Sequence, residues 1–273
     1  MKNIKYITLI LMAILFTSCE KVIDVDLDSA PPRLVIDAAI KWTKGTPGNE
    51  QKIKLSTTAP YFSNIIPPVS GATVFVTDAN NTVFNFTETV GTGEYLCADF
   101  APVLNGNYVL TVVYNGQTYT ASETLKPVPV IEYIEQNNEG GFTGEDIEIK
   151  AFFTDNGNTN DFYLFKFNPS FAVIPNYDVA EDKFFQGNAI FSLYSNEDLN
   201  PGDQLEIGIY GISQRYYNYM NILISIAGTN GGSPFQSPPA TVRGNIVNTT
   251  DEANFALGYF SLSEGDSRNY IVE

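Results

Sequence analysis

A short polar segment near the middle of the chain, residues 155–161 (DNGNTND), places oxygen-bearing side chains at alternate positions. Ca²⁺ takes six to eight oxygen ligands, so this spacing predicts a calcium loop. The candidate ligand positions are Asp155, Gly157, Thr159 and Asp161. The segment lacks the distal glutamate of an EF-hand. Its other interpretation is a hairpin connection built from residues that tolerate left-handed backbone.

Two acidic pairs raise the alternative of a carboxylate-based carbohydrate hydrolase. They are Glu181/Asp182 and Glu197/Asp198. A glycosidase holds its two carboxyl groups about 5 to 10 Å apart across the sugar. Adjacent residues of one segment cannot face each other in that way, so only a pair drawn from different loops is left open.

Composition excludes several kinds of chemistry. The 273 residues contain no histidine, which rules out Ser/His/Asp and Cys/His triads, an HExxH zinc site and a histidine pH switch. A formal net charge of -16 argues against a nucleic-acid ligand, since phosphate binding requires a basic surface. We therefore expect no cofactor apart from the calcium ion, no nucleic-acid partner and no enzymatic activity.

Several aromatic residues lie in loop-like, polar or proline-flanked stretches, where their rings could stack on sugar faces or pack against a barrel rim. The alternative is that they cap the hydrophobic cores. They are Tyr61, Phe62, Tyr177, Phe184 and Phe185.

The amino terminus predicts a lipoprotein signal peptide over residues 1–18. Lys2 and Lys5 form a short basic region, and the apolar stretch 7–16 is too short to span a bilayer. Ser18 precedes Cys19, the small-residue context in which a thiol is diacylglycerated and the chain is cut before the cysteine. We expect Cys19 to be the lipidated first residue and to anchor the protein in a membrane. The alternative is an ordinary signal peptide or a buried helix that happens to contain cysteine.

An acidic linker, residues 19–31, follows the lipidation site. It resembles the surface-export signals of Bacteroidota lipoproteins, which implies an anchor in the outer leaflet. A solvated linker or an edge strand is the alternative. The acidic residues are Glu20, Asp24, Asp26 and Asp28.

Residues 32–128 show the pattern of an immunoglobulin-like β-sandwich. Asn115-Gly116 is typical of a two-residue hairpin turn, and both faces of the strand before it are apolar enough to predict a central, doubly covered strand. Tyr95 and Cys97 resemble the tyrosine corner and the cysteine of an immunoglobulin F strand, although Cys97 has no partner for a disulfide and is expected to be a buried, inert thiol. Seven strands are predicted at 34–40, 51–58, 73–78, 83–88, 94–98, 107–114 and 117–125.

A stiff Lys126-Pro127-Val128-Pro129 segment marks the junction with a second β-rich domain, residues 129–273. Apolar residues at three- and four-residue steps predict one amphipathic helix over 213–227, with Ser213 as its N-cap. Strands are predicted at 130–136, 147–154, 162–168, 189–194, 204–212, 245–248, 256–264 and 269–272.

Short runs along nearly the whole chain carry a family resemblance. They are CEKVID (19–24), PRLVI (32–36), SGATV (70–74), NDFY (160–163), LNPGD (199–203), SQRYYNY (213–219), FQSPP (235–239), GNIVN (244–248) and LGYF (257–260). In this order they resemble the Bacteroidota outer-membrane lipoproteins known as domain of unknown function 4249. The resemblance implies an outer-membrane lipoprotein whose gene commonly neighbours a TonB-dependent transporter with a carboxypeptidase-regulatory-like plug extension. The family has no assigned chemistry, so it supplies no catalytic residues.

Together these features predict a surface-exposed, non-enzymatic lipoprotein that assists a TonB-dependent (SusC-like) transporter or captures its ligand, a small nutrient or glycan. The alternatives are the carbohydrate hydrolase and a surface adhesin or structural protein.

Overall fold

The computed structural model describes residues 31–60, 63, 65–141, 144–227 and 242–273. Strands dominate these residues, and one α-helix, α1 (Gln214–Ala227), accompanies them. The predicted all-β class is confirmed. Among the described residues, no helix is both long and apolar enough to cross a membrane.

The seven strands predicted for the first half of the chain are confirmed, with ends within three residues of the predicted ones. Along each strand buried and exposed side chains alternate, because successive side chains point to opposite faces. The strands are β1 (Leu34–Thr43), β2 (Gln51–Thr57), β3 (Thr73–Asp78), β4 (Val83–Thr89), β5 (Glu94–Cys97), β6 (Asn107–Tyr114) and β7 (Gln117–Thr124).

These strands form a sandwich because β4 pairs with β5 on one side and β3 on the other. The inner faces of β1, β2 and β5 thereby meet those of β3, β6 and β7 in one hydrophobic core. Its fully buried members include Ile36, Ile53, Val76 and Leu110.

The prediction for β6 is half right. Asn115 and Gly116 have φ of 49° and 72°, as the predicted turn requires, and β6 pairs with β3 and β7. Its second face is not fully covered, since Val109 is 43% exposed. The apolar residues on that face reflect β propensity rather than burial.

The tyrosine corner predicted at Tyr95 is wrong, because such a corner bonds backbone a few residues upstream, and here the Tyr108 hydroxyl does so with Ala101 and Val103. Tyr95 instead bonds a distant loop. Its hydroxyl donates to the carbonyl of Val69 at 3.0 Å and accepts from the N–H of Ala72 at 3.1 Å. Cys97 is buried, as predicted, and burial raises the pKa of its thiol to about 11. Tyr95 therefore stabilises the loop that precedes β3, and Cys97 is part of the first hydrophobic core.

The second half of the chain adds eight strands, and two predictions need correction. One strand, over 176–181, was not predicted, and the separate strands expected at 256–264 and 269–272 are one continuous strand. The strands are β8 (Tyr133–Gly140), β9 (Asp146–Thr154), β10 (Phe162–Pro169), β11 (Asn176–Glu181), β12 (Ala189–Ser195), β13 (Gln204–Ile212), β14 (Val247–Asn248) and β15 (Leu257–Ile271).

Strand β15 is long because it has a partner along its whole length. From Leu257 to Gly265 it runs parallel to β1, and from Gly265 to Ile271 it is antiparallel to β13. The turn-forming residues Gly265, Asp266 and Ser267 are therefore held in extended backbone by pairing with β13. The larger sheet has the order β11-β10-β13-β15-β1-β2-β5-β4-β3-β6-β7-β14, and a smaller one has the order β12-β9-β8.

A second hydrophobic core lies between the small sheet and the β10/β13 part of the large one, with Ile149, Phe153, Phe167 and Ile207 among its buried residues. Helix α1 covers the other face of β10 and β13 through Met220. Ser213 caps the helix as predicted, because its Oγ accepts from the N–H of Tyr216 at 3.1 Å. The described residues from Pro32 onward form one compact unit with two cores that share β15. The domain boundary at 128/129 stays a prediction.

Candidate functional site

Three aspartates from separate segments meet at one end of the second core. Asp155 follows β9, Asp161 precedes β10, and Asp182 opens a short 3-10 helix (Asp182–Phe184) after β11. One carboxylate oxygen of each lies within 4.8 Å of the others. Asp155 and Asp182 are only 5% and 3% exposed, and Asp161 is half-buried. The antiparallel pairing of β10 with β11 brings Asp161 next to Asp182.

Hydrogen bonds hold each carboxylate of this aspartate cluster in place. The Tyr163 hydroxyl donates to Oδ1 of Asp155, and the N–H of Gly187 donates to its Oδ2 at 2.8 Å. The N–H of Asp161 donates to Oδ2 of Asp182 at 2.7 Å. Since both oxygens of Asp155 accept, burial of its charge is compensated.

Thr159 orients the third carboxylate. Its hydroxyl donates to Oδ2 of Asp161 at 2.6 Å. Burial raises the pKa of the Asp161 carboxyl; the Thr159 bond opposes the rise, and the charges of Asp155 and Asp182 add to it. The carboxylate oxygens of the three aspartates repel one another, and a hard divalent cation bound between them would relieve this repulsion.

The fold brings together only part of the predicted calcium loop. Asp155 and Asp161 converge, and the third carboxylate is Asp182, which belongs to an acidic pair considered for another chemistry. Gly157 packs against Gly187, where an added Cβ would lie 3.0 Å from the Gly187 Cα, and Thr159 serves as a hydrogen-bond donor. Calcium binding stays a prediction, centred on the three aspartates.

The two acidic pairs considered for a glycosidase lie in different surroundings, and the hydrolase stays an untested alternative. Asp182 is buried and committed to the N–H of Asp161, while Glu197 and Asp198 lie exposed in a turn. Carboxylate oxygens of Asp155, Asp161 and Asp182 lie within 4.8 Å of one another, closer than the roughly 5 to 10 Å that separates the carboxyl groups of a glycosidase.

The loop aromatics take different positions. Tyr177 belongs to β11 and is half-buried against the helix side of the sheet, and Phe185 packs partly into the second core. Phe184 is 87% exposed. Tyr61 and Phe62 lie outside the described residues. Of the described members of this set, Phe184 alone is mostly exposed, and the Lys183 Nζ lies over its ring at 5.6 Å from the centroid.

The residues predicted for export and anchoring also lie outside the described part of the chain. This applies to the signal peptide, the lipidation site and the acidic stretch, and their assignments stay predictions. The residues are Ser18, Cys19, Glu20, Asp24, Asp26 and Asp28.

Solved structures similar to this chain share little sequence identity with it. A segment of two fibronectin type-III domains from chicken tenascin is 13% identical, with 66% of this chain and 90% of that one covered and a TM-score of 0.22. A DUF4785 family protein from Legionella pneumophila is 8% identical, with 65% and 52% covered and a TM-score of 0.27. The FN1-FN3 domains of chicken CNTN1 are 12% identical, with 66% and 60% covered and a TM-score of 0.22. The match spans about half to three fifths of the last two chains.

No protein of curated function matches the chain in sequence. One family model does, over residues 20–269, which is nearly the whole chain. The protein therefore belongs to the DUF4249 family, a domain of unknown function.

Proposed function

We propose that this protein is an outer-membrane lipoprotein, anchored through Cys19 and exposed at the cell surface, that serves as a non-enzymatic accessory of a TonB-dependent transporter. The lipoprotein signal peptide with Ser18 before Cys19 supports the anchor. The acidic residues that follow support surface exposure, and the family resemblance supports the partner. Family membership itself supplies no activity.

An apolar hairpin tip carries the partner proposal. Between β10 and β11 the chain reads SFAVIP over residues 170–175, and Phe171, Val173 and Ile174 are 41%, 98% and 76% exposed. Single exposed apolar side chains are ordinary, whereas a contiguous group is typical of a surface that contacts a partner. A barrel protein offers apolar and aromatic surface at its rim for such a tip.

The tip lies far from the point where the chain enters the fold. At the entry, Arg33 and Thr58 are hydrogen-bonded to each other, and Val35 of β1 pairs with Leu257 at the start of β15. At the far end of β15, Ile271 pairs with Gln204, whose carbonyl accepts from the N–H of Ser170. A strand of this length spans roughly 45 Å at about 3.3 Å per residue. The apolar tip therefore lies near the end of β15 that is opposite to the first residues of β1.

The buried acids favour a non-enzymatic role. Asp155, Asp182, Glu264 and Asp266 each accept hydrogen bonds from backbone N–H groups. Carboxylates engaged in this way fix the loops and strands around them, so their oxygens serve structural hydrogen bonds.

Affinity purification from detergent-solubilised outer membranes tests the partnership. We expect the wild-type protein to recover a TonB-dependent barrel, and the variant carrying Val173→Asp and Ile174→Asp to lose it, since two charges cannot be buried in an apolar contact. Val90→Asp is the matched control, because Val90 is 93% exposed in the β4–β5 turn. If the wild-type protein recovers no such barrel, the proposed partner is wrong.

An adhesin would use the same apolar tip, and it is the second candidate. Deletion of the gene separates the two functions. Loss of cell attachment with normal nutrient uptake favours the adhesin, and loss of uptake favours the transporter accessory.

A further inference from the structure

A small cleft lies between helix α1, the segment 242–244 and the start of β15, on the opposite side of the large sheet from the second core. Its volume is about 230 Å³. Charged, amide and aromatic side chains share its wall; they include Arg215, Asn218, Tyr219, Ile222, Arg243 and Tyr259. Neither the aspartate cluster nor the apolar tip contributes to it.

The two arginines of this cleft are unusual in an acidic protein. The chain has 31 acidic residues against 15 lysines and arginines, yet within its described part neither Arg215 nor Arg243 forms an ion pair. The segment that joins α1 to the cleft, residues 228–241, contains no aspartate or glutamate. Both arginines are exposed, and that segment brings no carboxylate close to either of them in sequence.

Phe255 fixes the position of one guanidinium. The Arg243 Cζ lies 3.9 Å from the ring centroid, and the Arg33 Cζ lies 4.0 Å from it. Two groups this close to one centroid must occupy opposite faces of the ring. Stacking leaves the N–H groups at the edge of a guanidinium available for hydrogen bonds, and it places a second positive charge behind the first. An anion at Arg243 would relieve the repulsion between the two cations.

The floor of the cleft is aromatic. The rings of Tyr219 and Tyr259 are 4.7 Å apart, and Tyr216 lies 4.7 Å from Tyr259. The Tyr259 hydroxyl points to Glu123, whose Oε2 also accepts from Ser213 at 2.9 Å. Glu123 therefore holds the Tyr259 side chain in position through its hydroxyl. The rings of Tyr219 and Tyr259 line the cleft.

We propose that this cleft binds an organic oxyanion, with a carboxylate or phosphate group between Arg215 and Arg243 and an apolar body against Tyr219 and Tyr259. Arginine forks match the geometry of both oxyanions. The volume decides the size of the ligand: pockets for drug-sized molecules have about 300–1,000 Å³, so this cleft accepts a small molecule or the anionic end of a larger one. The site depends on neither the transporter partnership nor the lipid anchor.

Calorimetric titration of the full-length protein in detergent at low salt tests the site. The probes are benzoate, inorganic phosphate and, as the uncharged analogue of benzoate, benzamide. We expect benzoate to bind and benzamide to bind at least about 10-fold more weakly, since a hydrogen-bonded charge pair contributes about 1.5–3 kcal/mol. Binding of phosphate without benzoate would assign the site to the oxyanion alone and overturn the part of the proposal that concerns the apolar body.

Single substitutions locate the binding. Arg215→Gln and Arg243→Gln should each weaken benzoate binding about 10-fold or more, whereas Lys54→Gln removes one exposed positive charge outside the cleft and should leave it unchanged. Phe255→Leu keeps every charge but removes the stacking ring, and we expect it to weaken binding severalfold. Absence of binding by both anions at millimolar concentration, or binding that survives both arginine substitutions, would overturn the proposal.

Discussion

Oδ2 of Asp266 accepts a 2.7 Å hydrogen bond from the backbone N–H of Ile131, across 135 residues of sequence. Two residues earlier in β15, Oε2 of Glu264 accepts from the N–H of Val128 at 3.0 Å. Pro127 and Pro129 have no N–H, so these acids satisfy the donors that a proline-rich segment buries. Hydrogen bonds to Glu264 and Asp266 thus attach the predicted junction, residues 126–129, to β15, the strand that the two cores share.

Asp266→Ala should destabilise the protein by about 2–3 kcal/mol, because it leaves the buried N–H of Ile131 without an acceptor. It also removes the ion pair between Asp266 and Arg268, whose atoms are 2.9 Å apart. Urea unfolding would measure the change. Asp266→Asn retains an acceptor oxygen and should cost less, and Glu197→Ala, at an exposed acid, should cost almost nothing. Equal stability of the two Asp266 variants would refute the role given to the Ile131 bond.

The sequence predicts the first seven strands well because local signals agree there. Alternation, β-branched residues and the Asn115-Gly116 turn all favour the same register. Strand β11 escapes prediction because half of its six residues are polar or charged and its main apolar support comes from α1 and β10. The continuity of β15 is also missed by the sequence prediction. Its turn-forming residues suggest a break, but pairing with β13 keeps them in extended backbone.

Sites assembled from distant segments are harder to predict. Asp155 and Asp161 are close in sequence, and their proximity follows from a loop between two predicted strands. Asp182 joins them only because β10 pairs with β11. Arg215 and Arg243 share a cleft for a similar reason, with β15 and α1 as its walls. The sequence feature that points to this cleft is a segment without acidic residues between the two arginines, and no motif of defined spacing corresponds to it.

Gly258→Ala should be among the most destabilising small substitutions in this chain, at about 3 kcal/mol or more. The residue has φ of +96°, and an added Cβ would lie 2.1 Å from the carbonyl oxygen of Ile36. Strain from positive φ costs about 1–2 kcal/mol, and a clash with paired backbone adds overpacking of about 1–3 kcal/mol.

Gly202→Ala separates these two effects. Gly202 has φ of +93° with nothing within 4 Å of an added Cβ, so Gly202→Ala should lose stability through backbone strain alone. The difference in free energy of unfolding between the two variants measures the contact with Ile36. If both variants lose the same stability, close packing of β15 against β1 at Gly258 makes no contribution.

Thiol titration of the mature protein would test Cys97 and Cys19 together. The chain has two cysteines, and a lipidated Cys19 has no free thiol. Burial raises the pKa of Cys97 to about 11, so the native protein should react slowly at pH 8 with a thiolate-specific reagent. In denaturant we expect one reactive thiol per chain, and none in Cys97→Ser. Two thiols in the denatured mature protein would contradict lipidation of Cys19.

Asp161→Asn should raise the thermal midpoint at pH 7 in the presence of EDTA. Burial, with the neighbouring carboxylates, raises the pKa of Asp161 in the folded state, so ionisation of this residue destabilises the fold. For an acid shifted in this direction, stability falls as pH rises through the interval between the unfolded and folded pKa values. The advantage of Asp161→Asn should therefore shrink as the pH is lowered and vanish below the ordinary aspartate value of 3.8. Asp198→Asn, at an exposed turn, is the control and should show no such dependence.

If Ca²⁺ binds at the aspartate cluster, it should reverse the order of the thermal midpoints of the wild-type protein and Asp161→Asn. Ca²⁺ should raise the thermal midpoint of the wild-type protein by linkage, because it binds the folded state, where the three carboxylates converge. Asp161→Asn removes one ligand charge and should respond less, so the wild-type protein overtakes it as Ca²⁺ is added. Asp198→Asn should respond like the wild-type protein. If millimolar Ca²⁺ leaves the wild-type midpoint unchanged, the cluster is a structural anchor for the 155–161 loop, stabilised by Tyr163 and Gly187 in spite of its charge.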